Sequence, residues 1–102
     1  MYLKRVVALT GAKRVCDDTY FLKAGGNRFL IDNRNVRLIS NRGGKSTCFF
    51  IAAHPNMPRQ EVIASALLQL KNNPKLFKKW RKRPGYLFRA NGKTFRIDRP
   101  DP

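Results

Sequence analysis

The feature that most limits the fold is the spacing of turn chemistry in the first half of the chain: Thr10-Gly11, Gly25-Gly26-Asn27, Asn33-Arg34-Asn35 and Asn41-Arg42-Gly43-Gly44. Glycine and asparagine tolerate the positive φ of tight turns, and the intervals after Asn27 are strand-length. Val6 to Leu9, β-branched and apolar, reads as a first strand, followed by Tyr20 to Ala24, Arg28 to Asp32, Val36 to Ser40 and Ser46 to Ala53. An N-terminal antiparallel β-meander is therefore predicted. Phe21, Phe29, Ile31, Val36, Leu38, Phe49 and Ile51 are candidates for its buried face, and Lys23, Arg28 and Arg37 alternate with them to make a basic outer face.

After His54-Pro55-Asn56-Met57-Pro58 the periodicity changes. Pro58 suits a first helical turn, where its missing N–H costs nothing. Val62, Ile63, Ala66, Leu67 and Leu70 then form one wide apolar stripe, giving a helix at about 58–71 that Asn72-Asn73 ends. Asn73 is placed to cap a second helix at about 74–83, with Pro74 at its first position and Pro84-Gly85 beyond it. A β-hairpin at about 86–97 closes the fold around Asn91-Gly92, with Tyr86, Phe88 and Ala90 on one face, Leu87 and Arg89 on the other, and Phe95 and Ile97 matching across the strands. The tail from Arg99 to Pro102 reads as irregular. The class is α+β, and residues 1–102 form a single small basic domain.

The chain has 102 residues and 42% hydrophobic content, too apolar for a segment kept disordered by charge. No apolar run approaches the roughly 20 residues that span a bilayer, and no secretory signal is evident, so a cytoplasmic protein without membrane partners is expected. Cys16 and Cys48 read as two buried reduced thiols, although one disulfide would fit the count. With His54 as the one histidine there are too few ligands for a zinc site, and neither metal nor cofactor is expected.

Charge is the functional signal. Lys and Arg number 22 against 6 Asp and Glu, a formal +16, and no acid occurs between Glu61 and Asp98. The centre of that interval, Lys75 to Arg83, holds six basic residues in nine. On a helix Leu76, Phe77 and Trp80 share one side, while Lys75, Lys78, Lys79 and Lys82 line the other. A lone basic helix is most often a solvated face docked by its aromatics. The surrounding deficit of acids argues instead for an acidic partner, because self-repulsion at this charge opposes a compact state. Lys71, Arg81, Arg83, Arg89, Lys93 and Arg96 extend the candidate surface. Trp80, Tyr86 and Phe88 are candidates for base stacking or for anchoring an interface.

Other motifs carry less. Asn41 to Thr47 resembles the end of a phosphate-binding loop, but Ile39 stands where the first glycine belongs and a strand follows in place of a helix. Asp17-Asp18 is the single acidic pair and reads as a turn; His54 lacks a second histidine for a nuclease or hydrolase arrangement. A helix-turn-helix needs a helical core, whereas the neighbours here read as strands.

The expectation is a non-catalytic nucleic-acid-binding protein that lays a basic helix and hairpin on a phosphate backbone. In size, charge and lack of catalytic equipment the chain also has a general likeness to small phage or mobile-element proteins. That implies the alternative of an interaction protein that inhibits or redirects a host DNA- or RNA-processing enzyme, such as a helicase-nuclease or polymerase, by docking on an acidic surface.

Overall fold

A computed structural model describes residues 2–39, 46–90 and 92–100. The chain opens with helix α1 (Tyr2–Thr10), then strands β1 (Lys13–Cys16), β2 (Thr19–Ala24), β3 (Asn27–Ile31), β4 (Asn35–Ile39) and β5 (Ser46–Ala53). Helices α2 (Arg59–Asn72) and α3 (Leu76–Lys82) follow, and β6 (Tyr86–Ala90) and β7 (Lys93–Pro100) end it. The architecture is α+β.

The segment read as a first strand is helical. In α1 the buried positions are Leu3, Val6 and Thr10, spaced for one helical face, and Thr10 Oγ1 donates back to the Val6 carbonyl at 2.7 Å. Val6 and Val7 carry β propensity, but the side chains that α1 buries against α2 decide the outcome. Covered by α1 as well as by the sheet, α2 is buried continuously from Val62 to Leu67 and again at Leu70, beyond the single stripe its periodicity foretells.

All seven strands join one antiparallel sheet in the order β1-β2-β3-β4-β5-β7-β6. The meander accounts for β1 to β5. The α2–α3 crossover then carries the chain past β5 to the far edge, and β7 returns between β5 and β6. The tail is not irregular as far as Pro100, because β7 keeps pairing with β5 across a register shift, Asp98 opposite Phe50 and Pro100 opposite Phe49.

Strand alternation places Leu22, Ala24, Phe29, Ile31, Val36, Leu38, Phe49, Phe95 and Ile97 beneath the helices. Phe21 does not belong with them. It shares parity with Lys23, and the pleat turns both to the other face while Leu22 is completely buried. Ile51 is half-buried at the margin of the core.

The two helices match the expected spans to within a few residues. Pro58 is the N-cap of α2, and its carbonyl accepts from the Glu61 and Val62 N–H groups. Asn73 serves differently from expectation: it is the C-cap residue of α2, its carbonyl accepts from Leu76 N–H, and Lys75 holds the N-cap of α3. In the β2–β3 turn Gly25 has φ +57°, and a Cβ there would collide with Cβ of Pro74, so the hairpin turn and the α2–α3 corner meet at a point only glycine fits.

Within the final hairpin Tyr86 pairs with Ile97 and Phe88 with Phe95, on the faces their alternation requires, and Gly92 has φ +73°. Asn91 and the turn at Asn41–Gly44, with Lys45 of the phosphate-loop-like segment, lie outside the described residues. Cys16 is exposed and Cys48 half-buried, and both are free thiols. Their strands stand four sheet spacings apart, about 19 Å, too far for a disulfide.

Candidate nucleic-acid interface

Helix α3 is short, and tertiary contacts hold it in place. Its buried side chains are Leu76, Phe77 and Trp80. The Trp80 ring meets Phe49 at 5.3 Å and Phe88 at 5.9 Å, both edge-on, and Phe77 meets Phe29 at 6.0 Å. Arg81 adds a polar fastening: its Nη2 donates to Thr47 Oγ1 at 3.1 Å, and its guanidinium lies 5.8 Å from the Phe77 ring centre. These contacts fix the rotation of the helix about its axis.

That rotation presents Lys75, Lys78, Lys79 and Lys82 to solvent. Among the described residues no acid pairs with any of them. Lys79, Arg81 and Lys82 also occupy the last turn, where cations complement the helix dipole, so part of this charge stabilises the element that carries it. Lys71 is exposed in the last turn of α2 and leads into the same region.

Beyond α3 the chain turns through Arg83, Pro84 and Gly85 into Tyr86. A cleft of about 310 Å³ is lined by Lys79, Lys82, Arg83 and Tyr86. A second, of about 540 Å³, continues along Arg83, Pro84, Gly85, Tyr86 and Leu87. The two clefts share Arg83 and Tyr86, so cations and a phenol ring line the same groove, and no carboxylate lines either cleft. It can take an anion or a phosphorylated, ring-bearing group.

The other candidate residues separate. Lys93 points to the helix side, where its Nζ donates to the Asn56 carbonyl at 2.9 Å and lies 3.6 Å from a Glu61 carboxylate oxygen. Arg89 and Arg96 lie on the opposite face, as their pairing with Thr94 and Leu87 requires, and Arg96 Nε is 3.0 Å from Asp98. Trp80 is 1% exposed and Phe88 is also in the core, so neither ring is open to a base; they anchor the surface from beneath. Tyr86, half-buried against Phe88 at 4.9 Å, is the aromatic that reaches the groove.

The acids are mostly engaged in turns and ion pairs. Asp18, at φ +44° in the β1–β2 turn, pairs with Arg59 at 3.3 Å, and Asp32 Oδ1 accepts from the Arg34 and Asn35 N–H groups. His54 Nδ1 accepts from Asn56 N–H in the loop before α2. No group of three or more His, Cys, Asp or Glu suited to a metal occurs among the described residues. No described helix is long and apolar enough to cross a membrane.

Comparison with protein-family models, with curated proteins and with solved structures finds no match to this chain.

Proposed function

We propose that this protein binds nucleic acid without catalysis, using the exposed side of α3 and the adjoining groove on the phosphate backbone. The observation that supports this reading is the row Lys75, Lys78, Lys79 and Lys82, held outward by the buried Trp80 and Phe77 and unpaired with any acid among the described residues. Cations in such an array displace condensed counterions as they neutralise phosphates, which is the sequence-independent part of nucleic-acid affinity. Arg83 and Tyr86 give the groove a guanidinium and a ring at the end of the row.

The test is affinity for duplex DNA, single-stranded DNA and RNA from about 50 to 300 mM salt, where log K falls against log salt by roughly 0.9 per phosphate contact on duplex. A Lys78→Glu, Lys79→Glu, Lys82→Glu variant is expected to lose duplex binding with its fold intact. Wild-type chain that ignores all three nucleic acids, yet retains a protein partner from nuclease-treated lysate, sinks this reading in favour of an enzyme-docking protein.

A further inference from the structure

The helices cover one face of the sheet, and the other is uncovered among the described residues. An ordinary solvated sheet face alternates to polar residues. This one mixes apolar groups with cations: half-buried Phe21, Leu30 and Cys48 lie side by side with exposed Arg37 across β2 to β5. Two residues further along β5, Phe50 follows on the same face, 41% exposed, and Leu87 on β6 is 65% exposed. Between the apolar groups stand Lys23, Arg28, Arg37, Arg89 and Arg96, against which, among the described residues, Asp98 is the one acid set by register, already bridged to Arg96 at 3.0 Å. Arg28 Nε has no hydrogen-bond partner among the described residues.

A half-buried ring, Phe21, and an exposed one, Phe50, set among cations on a face poor in acid, suit a ligand with flat apolar groups and regularly spaced negative charge. An unpaired nucleic-acid strand has both. A duplex hides its bases and offers this face only phosphates, leaving Phe21 and Phe50 idle. These two rings stand three strand spacings and two residues apart, about 16 Å, with Arg37 on the strand between β3 and β5.

We propose that the open sheet face binds single-stranded nucleic acid, with bases stacked on Phe21 and Phe50 and the intervening backbone held by Arg37. This rests on the nucleic-acid reading of the helix side and adds a second surface and the strandedness of the ligand. The two faces then divide the work, α3 taking phosphates of any geometry and the sheet taking unpaired bases.

The experiment measures binding of the full chain to oligo(dT) and oligo(U) of about fifteen nucleotides, beside a duplex of the same length. Phe21→Ala and Phe50→Ala are each expected to weaken single-strand binding by roughly 5- to 100-fold while duplex binding stays within about twofold, and Phe50→Trp to preserve both. Arg37→Glu, at an exposed position, gives the same selective loss without touching a ring. Circular dichroism verifies that each variant is folded.

Unchanged single-strand affinity in the Phe21→Ala, Phe50→Ala double variant overturns the proposal. So does a concentration-dependent dimer that Phe50→Ala dissolves without any effect on single-strand binding, since a second copy of the chain would then occupy the face. Charge reversal on α3 keeps the two readings apart: duplex binding that survives it, while single-strand binding still depends on Phe21 and Phe50, sinks the helix reading alone, and a wild-type chain that binds neither form sinks both.

Discussion

Trp80 fills the space between α3 and the sheet, so its truncation leaves a cavity ringed by Phe49 and Phe88. Trp80→Ala is expected to cost about 3–5 kcal/mol by urea denaturation. Its Nε1 has no hydrogen-bond partner among the described residues, so Trp80→Phe removes volume but no bond and costs less. Two adjacent glycines separate backbone strain from collision. Gly26 has φ +80° with open space around it, and Gly26→Ala is expected to cost about 1–2 kcal/mol for the left-handed conformation alone. Gly25→Ala meets the same strain and Pro74 besides, so it costs at least about 1 kcal/mol more. Pairing it with Pro74→Gly in a double-mutant cycle recovers part of that difference, and additive effects would refute the contact.

At the level of elements, α1 is the instructive case. Val6, Val7 and the Thr10-Gly11 breaker look like a short strand when read locally, and the helical spacing of Leu3, Val6 and Thr10 has meaning only once α2 offers a surface. Ala8 is exposed on this helix, so Ala8→Pro is expected to destabilise the protein by about 3 kcal/mol and to release the α1 amides to hydrogen exchange. Helix α3 was legible because Leu76, Phe77 and Trp80 separate cleanly from the lysines, and the structure shows the aromatics inward. Each of Lys75, Lys78 and Lys82 changed to Gln should lower the duplex salt slope by about 0.9 if it meets a phosphate; variants with an unchanged slope are bystanders. The groove at Tyr86 was only half legible. Its residues are neighbours in sequence, but the space among them depends on the turn at Gly85, where φ is +69°.

Across the whole molecule the formal charge is +16, and described cations lie on both faces of the sheet, so the folded state carries repulsion that salt relieves. The thermal midpoint is expected to rise between about 20 and 300 mM salt, and a flat or falling midpoint in differential scanning calorimetry would contradict that account. The ion pairs of Arg59, Lys93 and Arg96 are between partly exposed side chains and contribute little against this repulsion.

Local chemistry was enough to determine the α+β class, the hairpins, two helices and a basic centre at Lys75–Arg83, because turn residues, apolar periodicity and like-charge runs act over a few neighbouring positions. Closeness in the chain groups Arg89, Lys93 and Arg96 with that centre. The pleat sends Arg89 and Arg96 to the far face and Lys93 to Glu61. Local pattern puts Phe21 inside and the fold puts Leu22 there, since parity in a strand is fixed by which neighbours it pairs with and which side the helices cover. The helical state of Tyr2–Thr10, the insertion of β7 between β5 and β6, and the open face with Phe21 and Phe50 all arise from burial against partners distant in sequence. Only the tertiary structure decides those, because the free energy that selects them exists only after the chain has closed on itself.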